Sequence, residues 1–468
     1  MSVAIIGAGI SGLSLALELR KRGIEVKVYE SSDQVGGVIK TYRDKNWLVE
    51  LGPNSILKSS TRIGDLIDDL NLTKDIIYTN KAAEKRYVVL NGKPEAVPGS
   101  AMAFIKSKLL STKGKFMIMK EPLIKPKPGD DDESLADFVR RRLGKEILDC
   151  FIYPLVGGIY AGDPEKLSVK YAFKNFYKIE KKYGSIILGQ LKASKERESH
   201  EIAKNKALSI SFREGLQSLP EAISRKLDKD VILNTRVLSV TNQNGTFQLE
   251  TDGTQNVPEM KHHDAVVYAG AAHGLNKIKF TGNGKTNPEV LADITYPAVC
   301  SVALGFRKEQ IKHPLDGFGV LIPPDEGYRI LGTQFNSTVF TDRTPDKNHV
   351  LLTTFIGGTR FPEAIHLDDN ELLKVITDDL NRLLGLEGDA DFVNIARWPK
   401  AIPQYEVGYG RYMDAMDTIE RENPGFYLAG NYRTGIAIAD CISSTVDLGD
   451  RIESDLLSQK KLKPIAKQ

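Results

Sequence analysis

The chain has 468 residues, 41% hydrophobic and 27% charged, with a net charge of +3. That length calls for two or three domains, and the near-balanced charge, with no bases interleaved with aromatics, excludes a nucleic-acid binder. Cys150, Cys300 and Cys441 stand far apart with no CxxC pair, which excludes a disulfide framework or a cysteine zinc site and fits a reducing compartment.

No apolar run reaches the roughly 18 residues of a membrane span. Residues 3–6 already read as a folded strand, so no leader is expected and the expected location is the cytoplasm. This strand is short and apolar, suited to a buried parallel position. GAGISG follows at Gly7, Ala8, Gly9, Ile10, Ser11 and Gly12, opening a helix in which Leu13, Ala16, Leu17 and Leu19 can face a sheet. Gly23 ends that helix, and a second strand over residues 26–29 carries Glu30 and Ser31 at its tip.

In this context the glycines have separate tasks. Gly7 permits the turn, Gly9 lets backbone approach a pyrophosphate, and Gly12 lets helix and strand pack closely. The helix N-terminus offers free N–H groups to the phosphates. Glu30 lies eighteen residues beyond Gly12, where a carboxylate can accept from both ribose hydroxyls and would repel a 2′-phosphate. A second pair, Gly36-Gly37, then Val38 and Lys40, lets backbone pass beside the ligand with a cation for a phosphate. Simple NAD-binding folds do not usually have this second pair, so the pattern points to non-covalently held FAD.

Two insertions follow. Residues 101–206 read as helical and lysine-rich, with a loop at 125–133 and a capping-box-like start at Ser134 and Asp137. Residues 288–411 mix strands (300–305, 350–356) with an amphipathic helix near 369–384. Between them, β-rich pieces at 231–233, 237–240, 247–251 and 265–268 are separated by Asn244-Gly245 and Asp252-Gly253. His262 and His263 read as solvated. A last strand over 425–428 leads through Gly430 and Gly435 to a terminal helix. The amides of Ile436, Ala437 and Ile438 would point at an electron-rich ligand edge and stabilise negative charge on a reduced flavin.

These motifs carry a resemblance. GAGISGLSLALELRKRG, YESSDQVGGVIKT and ELGPNSI are shared across amine-oxidase-like flavoproteins. SLADFVRRRLGKEI, PLVGGIYAGDPEKLSVKYAF, GFGVLIP, RILGTQF, LLTTFIGG and WPKAIPQY, in this order, make the sequence resemble the protoporphyrinogen oxidase family along nearly its whole length.

The resemblance implies an α/β plus α+β fold. A discontinuous Rossmann-like FAD-binding domain would span 1–80, 207–287 and 412–458. A substrate-binding domain with a mixed sheet would take 81–100 and 288–411. A helical domain over 101–206 would meet the membrane surface, and 459–468 would be a tail. It implies oxidation of protoporphyrinogen IX in heme biosynthesis by successive two-electron steps, with dioxygen as acceptor giving hydrogen peroxide. Coproporphyrinogen III oxidation, an amine oxidase or carotenoid desaturase, and a non-enzymatic flavoprotein are the alternatives. Homodimers are known in the family, and nothing in this sequence specifies one.

Residue by residue, the resemblance places Arg86 on a substrate carboxylate, Leu321 and Phe355 around the macrocycle, and Gly158 at the slot wall. Gln334 stands where an apolar residue is more usual. Gly52, Pro53, Asn54, Ser55, Val237 and Trp398 match further cofactor positions, and Lys40 stands where arginine is frequent. No catalytic acid or base stands out, since hydride transfer to the flavin needs positioning above all. The lysine-rich stretch 106–127, with Phe104, Ile105, Phe116, Met117 and Ile118, fits either an anionic bilayer or a solvated helical face. Tyr432 is one candidate for an amine oxidase's aromatic cage, and NYRTGI lacks a clear second aromatic. Cys441 reads as a packing residue rather than a flavin attachment.

Overall fold

A computed structural model describes residues 1–99, 107–193, 208–243, 245–252, 262–282 and 284–462. Its first sheet has five parallel strands in the order Val231–Ile232, Glu25–Tyr29, Ser2–Ile6, Ala265–Tyr268, Phe426–Leu428. Pieces from the beginning, middle and end of the chain therefore hydrogen-bond into one sheet. Val3, Ala4, Ile5, Val266 and Val267 are all fully buried, the pattern of parallel strands covered on both faces. On one face lie the helices Ile10–Lys21 and Ile438–Leu462, which pack on each other. Against the other face lie Val240, Phe247 and Leu249 of a four-stranded sheet and the buried rings of Tyr405, Tyr409 and Tyr432.

A second sheet has seven strands in the order Phe392–Trp398, Val299–Arg307, His349–Gly357, Ile330–Phe335, Gly319–Leu321, Tyr87–Leu90, Lys93–Ala96. It is mixed, because the Gly319–Leu321 and Tyr87–Leu90 pair is parallel and the others antiparallel. The helix Asp369–Leu384 covers one face, laying Leu372, Ile376, Leu380 and Leu383 on Val302, Leu304, Phe335 and Leu352. Asp368 and Glu371 form a capping box at its start, and Gly385 ends it at φ 65°. At one end of the opposite face, Trp47 stacks on Phe392 and packs with Leu351.

The helical insertion includes the helices Thr112–Lys120, Leu135–Arg142, Tyr153–Tyr160, Lys174–Tyr183 and Ile186–Ala193. Ser134 caps the second by accepting from the Asp137 amide at 3.0 Å, as its sequence suggests. Arg142 and Glu121, both fully buried, pair inside this unit. Glu121 also accepts from Ser185 Oγ and the Ile186 amide, so the buried charge is spread over several donors.

One expectation is corrected. His263 is buried, with Nδ1 2.8 Å from Ser2 Oγ and Nε2 3.3 Å from the Tyr29 hydroxyl. The strand His262–His263 pairs with Thr246–Thr251 at the sheet edge, and strand alternation turns its second residue inward. Phe104, Ile105, Lys106, Asn244 and Gly253 lie outside the described residues. Among the described residues no helix is long and apolar enough to cross a membrane.

Candidate active site

The first glycine turn is built by close backbone approach. Gly7 has φ 106° and donates its N–H to Tyr29 O at 2.8 Å. A Cβ on Gly12 would lie 2.0 Å from Gly7 O, whereas one on Gly9 would meet nothing within 4 Å. Gly12 is thus required by packing, and Gly9 faces open space at the helix N-terminus, where an anion can approach the amides.

Glu30 ties this turn to the neighbouring strand. Its Oε2 accepts from the Ala8 amide at 2.8 Å, and its Oε1 accepts from the Ser32 amide, Ser32 Oγ and Ser31 Oγ. A carboxylate offers about four lone-pair sites, so Oε2 retains capacity for a ribose hydroxyl. The Thr235 amide donates to Glu30 O at 2.8 Å and brings buried Val237 to the same end of the sheet.

The second glycine pair lies against the first. Gly36 donates its N–H to Ala8 O at 2.9 Å, and a Cβ on Gly37 (φ 60°) would sit 3.4 Å from Gly9 Cα. Exposed Val38 and half-buried Lys40 follow. The Leu51 amide donates to Lys40 O, and a Cβ on Gly52 would strike Val38 O at 2.1 Å and come within 3.9 Å of the Trp398 ring. Trp398 Nε1 donates to Leu51 O at 2.9 Å. Val38, Gly52 and Trp398, widely separated in sequence, thus form one contact group. Pro53, Asn54 and Ser55 continue it, since Asn54 Nδ2 donates to Gly52 O and Asn336 Nδ2 to Asn54 Oδ1.

Gly430 (φ 133°) follows the strand Phe426–Leu428, and Gly435 (φ 139°) precedes Ile436, Ala437 and the helix that starts at Ile438. Arg433 fixes this turn by pairing with Glu420 and Asp417. Cys441 is buried on the same helix, where burial pushes its thiol up to about 11. That environment suits packing and not reaction.

Of the expected substrate residues, Leu321, Gln334 and Phe355 share one face of the seven-stranded sheet. Leu321 pairs with Gly332, Gly332 with Phe355 and Phe355 with Ser301, forming one row across four strands. The next row on that face holds Gly319, Gln334, Thr353 and Ala303. Arg86 precedes the Tyr87–Val320 pair by one residue, which sets it beside Gly319. It is exposed, with its guanidinium 5.4 Å from the centre of the Phe318 ring. Gly158 lies in the last turn of the helix Tyr153–Tyr160, where carbonyls lack intrahelical partners, and packs on Leu321.

Sequence reasoning missed three groups here. Gly319 and Gly332 leave two floor positions without side chains, because a Cβ on either would strike neighbouring backbone at about 2.4–2.5 Å. Buried Thr353 and Asn336 keep Oγ1 and Oδ1 without a partner among the described residues, as does Nε2 of Gln334. Buried polar atoms of this kind are costly unless a ligand or water completes them. Glu50 and Arg343, 3% and 2% exposed, sit two residues before Gly52 and just after the adjoining strand and short helix. Burial pushes the Glu50 carboxyl up to about 7, against hydrogen bonds from Thr41 Oγ1 and the Leu216 amide. Only the glycines of GFGVL and ILGTQF hinted at the first group, and of the second only Gln334 had been singled out in the sequence.

The open amides of the first turn, the Glu30 carboxylate and the abutting glycine pairs fit a flavin dinucleotide. The family model for flavin containing amine oxidoreductase matches residues 10–447. Protoporphyrinogen oxidase 2, chloroplastic/mitochondrial, of Arabidopsis thaliana is 36% identical, covering 97% of this chain and 94% of its own. Coproporphyrinogen III oxidase of Bacillus subtilis (strain 168) is 28% identical, covering 97% and 98%. A candidate protoporphyrinogen oxidase from Exiguobacterium sp. 255-15 shares the fold with a TM-score of 0.79 at 24% identity, over 97% of this chain and 99% of that one. The chain is therefore an FAD-dependent oxidoreductase of the flavin containing amine oxidoreductase family.

Proposed function

We propose that this protein oxidises a porphyrinogen to a porphyrin in heme biosynthesis, with protoporphyrinogen IX as the substrate and dioxygen as the final acceptor, giving hydrogen peroxide. The observation that carries this reading is the row Leu321–Gly332–Phe355, two apolar side chains flanking a bare glycine floor, with Arg86 beside it. Such a surface suits a flat, largely apolar ring that bears carboxylates. Bound FAD supplies the two-electron acceptor. The chain's own part is positioning: Arg86 takes a carboxylate in its planar fork, Leu321 and Phe355 hold the ring, and Gly158 offers a free carbonyl to a pyrrole N–H. Ile436, Ala437 and Ile438 present amides where negative charge would accumulate.

On this reading residues 1–80, 207–287 and 412–458 form the FAD-binding domain, 81–100 and 288–411 the substrate domain, and 101–206 the helical domain. Phe116, Met119, Leu123 and Leu191 are all more than half exposed, and the helix carrying Leu191 packs on the turn carrying Leu123. Lys113, Lys115, Lys120, Lys125 and Lys127 accompany them in sequence. This combination favours the anionic-bilayer reading of the lysine-rich stretch and supports a peripheral position on the cytoplasmic membrane.

The amine oxidase reading loses its aromatic candidate, since Tyr432 is fully buried beside Tyr268 and Gly430. Anaerobic mixing with protoporphyrinogen IX tests the proposal. Flavin bleaching with appearance of porphyrin fluorescence is expected. Bleaching by coproporphyrinogen III alone would move the substrate to the tetracarboxylate, and bleaching by neither would end the proposal.

A further inference from the structure

Beside the apolar row runs a polar one. Gln334 and Thr353 face each other across two antiparallel strands, 7% and 0% exposed. Gln334 Nε2 and Thr353 Oγ1 each lack a partner among the described residues. Two strands away in the same row stands Arg86, an exposed cation, and the only residue between it and Gln334 is Gly319. At about 4.8 Å per strand the two Cα positions are roughly 10 Å apart. Both side chains can reach inward across that gap, and the glycine leaves it open. A buried donor of this kind is costly unless something accepts from it.

We infer that Gln334 is a second anchor for the substrate carboxylate: Arg86 holds it in its fork from the solvent side, and Gln334 Nε2 donates to a remaining lone pair from the buried side, assisted by Thr353 Oγ1. A donor pair of this kind specifies which edge of the ring lies over Gly319, and hence which ring carbon faces the cofactor. The chemistry selected is a carboxylate-bearing edge over an alkyl or vinyl edge. This inference rests on the porphyrinogen reading of the same site.

The test compares the free acid and the methyl ester of one porphyrinogen in wild type, Gln334→Met and Gln334→Glu. Methionine keeps the length without the donor, and glutamate replaces it with a repelling charge. In Gln334→Met the preference for acid over ester in kcat/KM should fall about tenfold, mostly through KM, since a hydrogen bond to a charged group is lost. Gln334→Glu should weaken acid binding further and ester binding little. The 450 nm flavin band of each variant reports an intact fold. Equal acid and ester constants in Gln334→Met and wild type would overturn the inference, and so would a loss shared evenly by acid and ester. Fluorescence titration with the product porphyrin and its ester gives the same comparison as dissociation constants. A wild type that turns over no porphyrinogen therefore defeats the function, while an unchanged acid preference in the variant defeats Gln334 alone.

Discussion

The Glu30 carboxylate accepts the Ala8 amide proton at 2.8 Å and so ties the tip of the second strand to the first glycine turn. Glu30→Ala removes that tie as well as the acceptor proposed for the ribose. The variant should purify with much less flavin, read as the ratio of absorbance at 450 nm to that at 280 nm. Glu30→Gln keeps an acceptor toward Ala8 and should retain an intermediate amount. Full occupancy in Glu30→Ala would remove Glu30 from the cofactor site.

Arg86 is exposed and precedes the strand Tyr87–Leu90, toward the opposite edge of the seven-stranded sheet from Trp398. Arg86→Ala should therefore leave flavin content and unfolding temperature unchanged while raising KM for a porphyrinogen at least tenfold, the cost of about 1.5–3 kcal/mol for a charge-assisted contact. Arg86→Lys should recover only part of this, since a point charge cannot make the bidentate contact. Wild-type kinetics in Arg86→Ala would place the carboxylate elsewhere.

A Cβ on Gly158 would lie 2.5 Å from Leu321 Cδ2, the flexible end of that side chain. Leu321 can turn away, toward the hollow floored by Gly319 and Gly332. Gly158→Ala should raise KM several-fold with no loss of flavin. Stability should hold or rise, because alanine is favoured over glycine in a helix by roughly 0.5–1 kcal/mol. A drop in unfolding temperature with unchanged KM would show that Gly158 serves packing alone.

The Glu50 carboxyl is raised to about 7 in the fold, chiefly by burial. Its folded pKa lies above its unfolded one, so its contribution to stability is present below about 4.5 and is lost as pH rises through about 7. Arg343, 4.0 Å away and also buried, limits the loss but is itself pushed down by burial. Glu50→Gln cannot ionise. It should match wild type near pH 5 and exceed it in unfolding temperature near pH 8. Parallel temperature curves for the two proteins across this range would place the carboxyl's titration elsewhere.

Local order along the chain made much of this molecule legible in its sequence. The strand, GAGISG turn and helix occur within twenty residues, and the same short-range sterics that call for Gly7 and Gly12 make them readable. The helix Asp369–Leu384 was likewise announced by its amphipathic spacing, and Ser134 by its start signal. The family resemblance added Arg86, Gly158, Leu321 and Phe355 as individual positions.

What the tertiary structure decided is which distant residues share a face. Gly36-Gly37 lies on Gly9, and Trp398 on Gly52, because segments distant in sequence cross there. His263 is buried because its short strand adds to an edge with one particular register. The row Arg86–Gly319–Gln334–Thr353 depends on three strand pairings, and slipping any of them by one residue would turn a side chain to the other face. Periodicity along one strand states that residues alternate. Only the pairing between strands, fixed by burial over the whole sheet, states which alternating set meets the ligand.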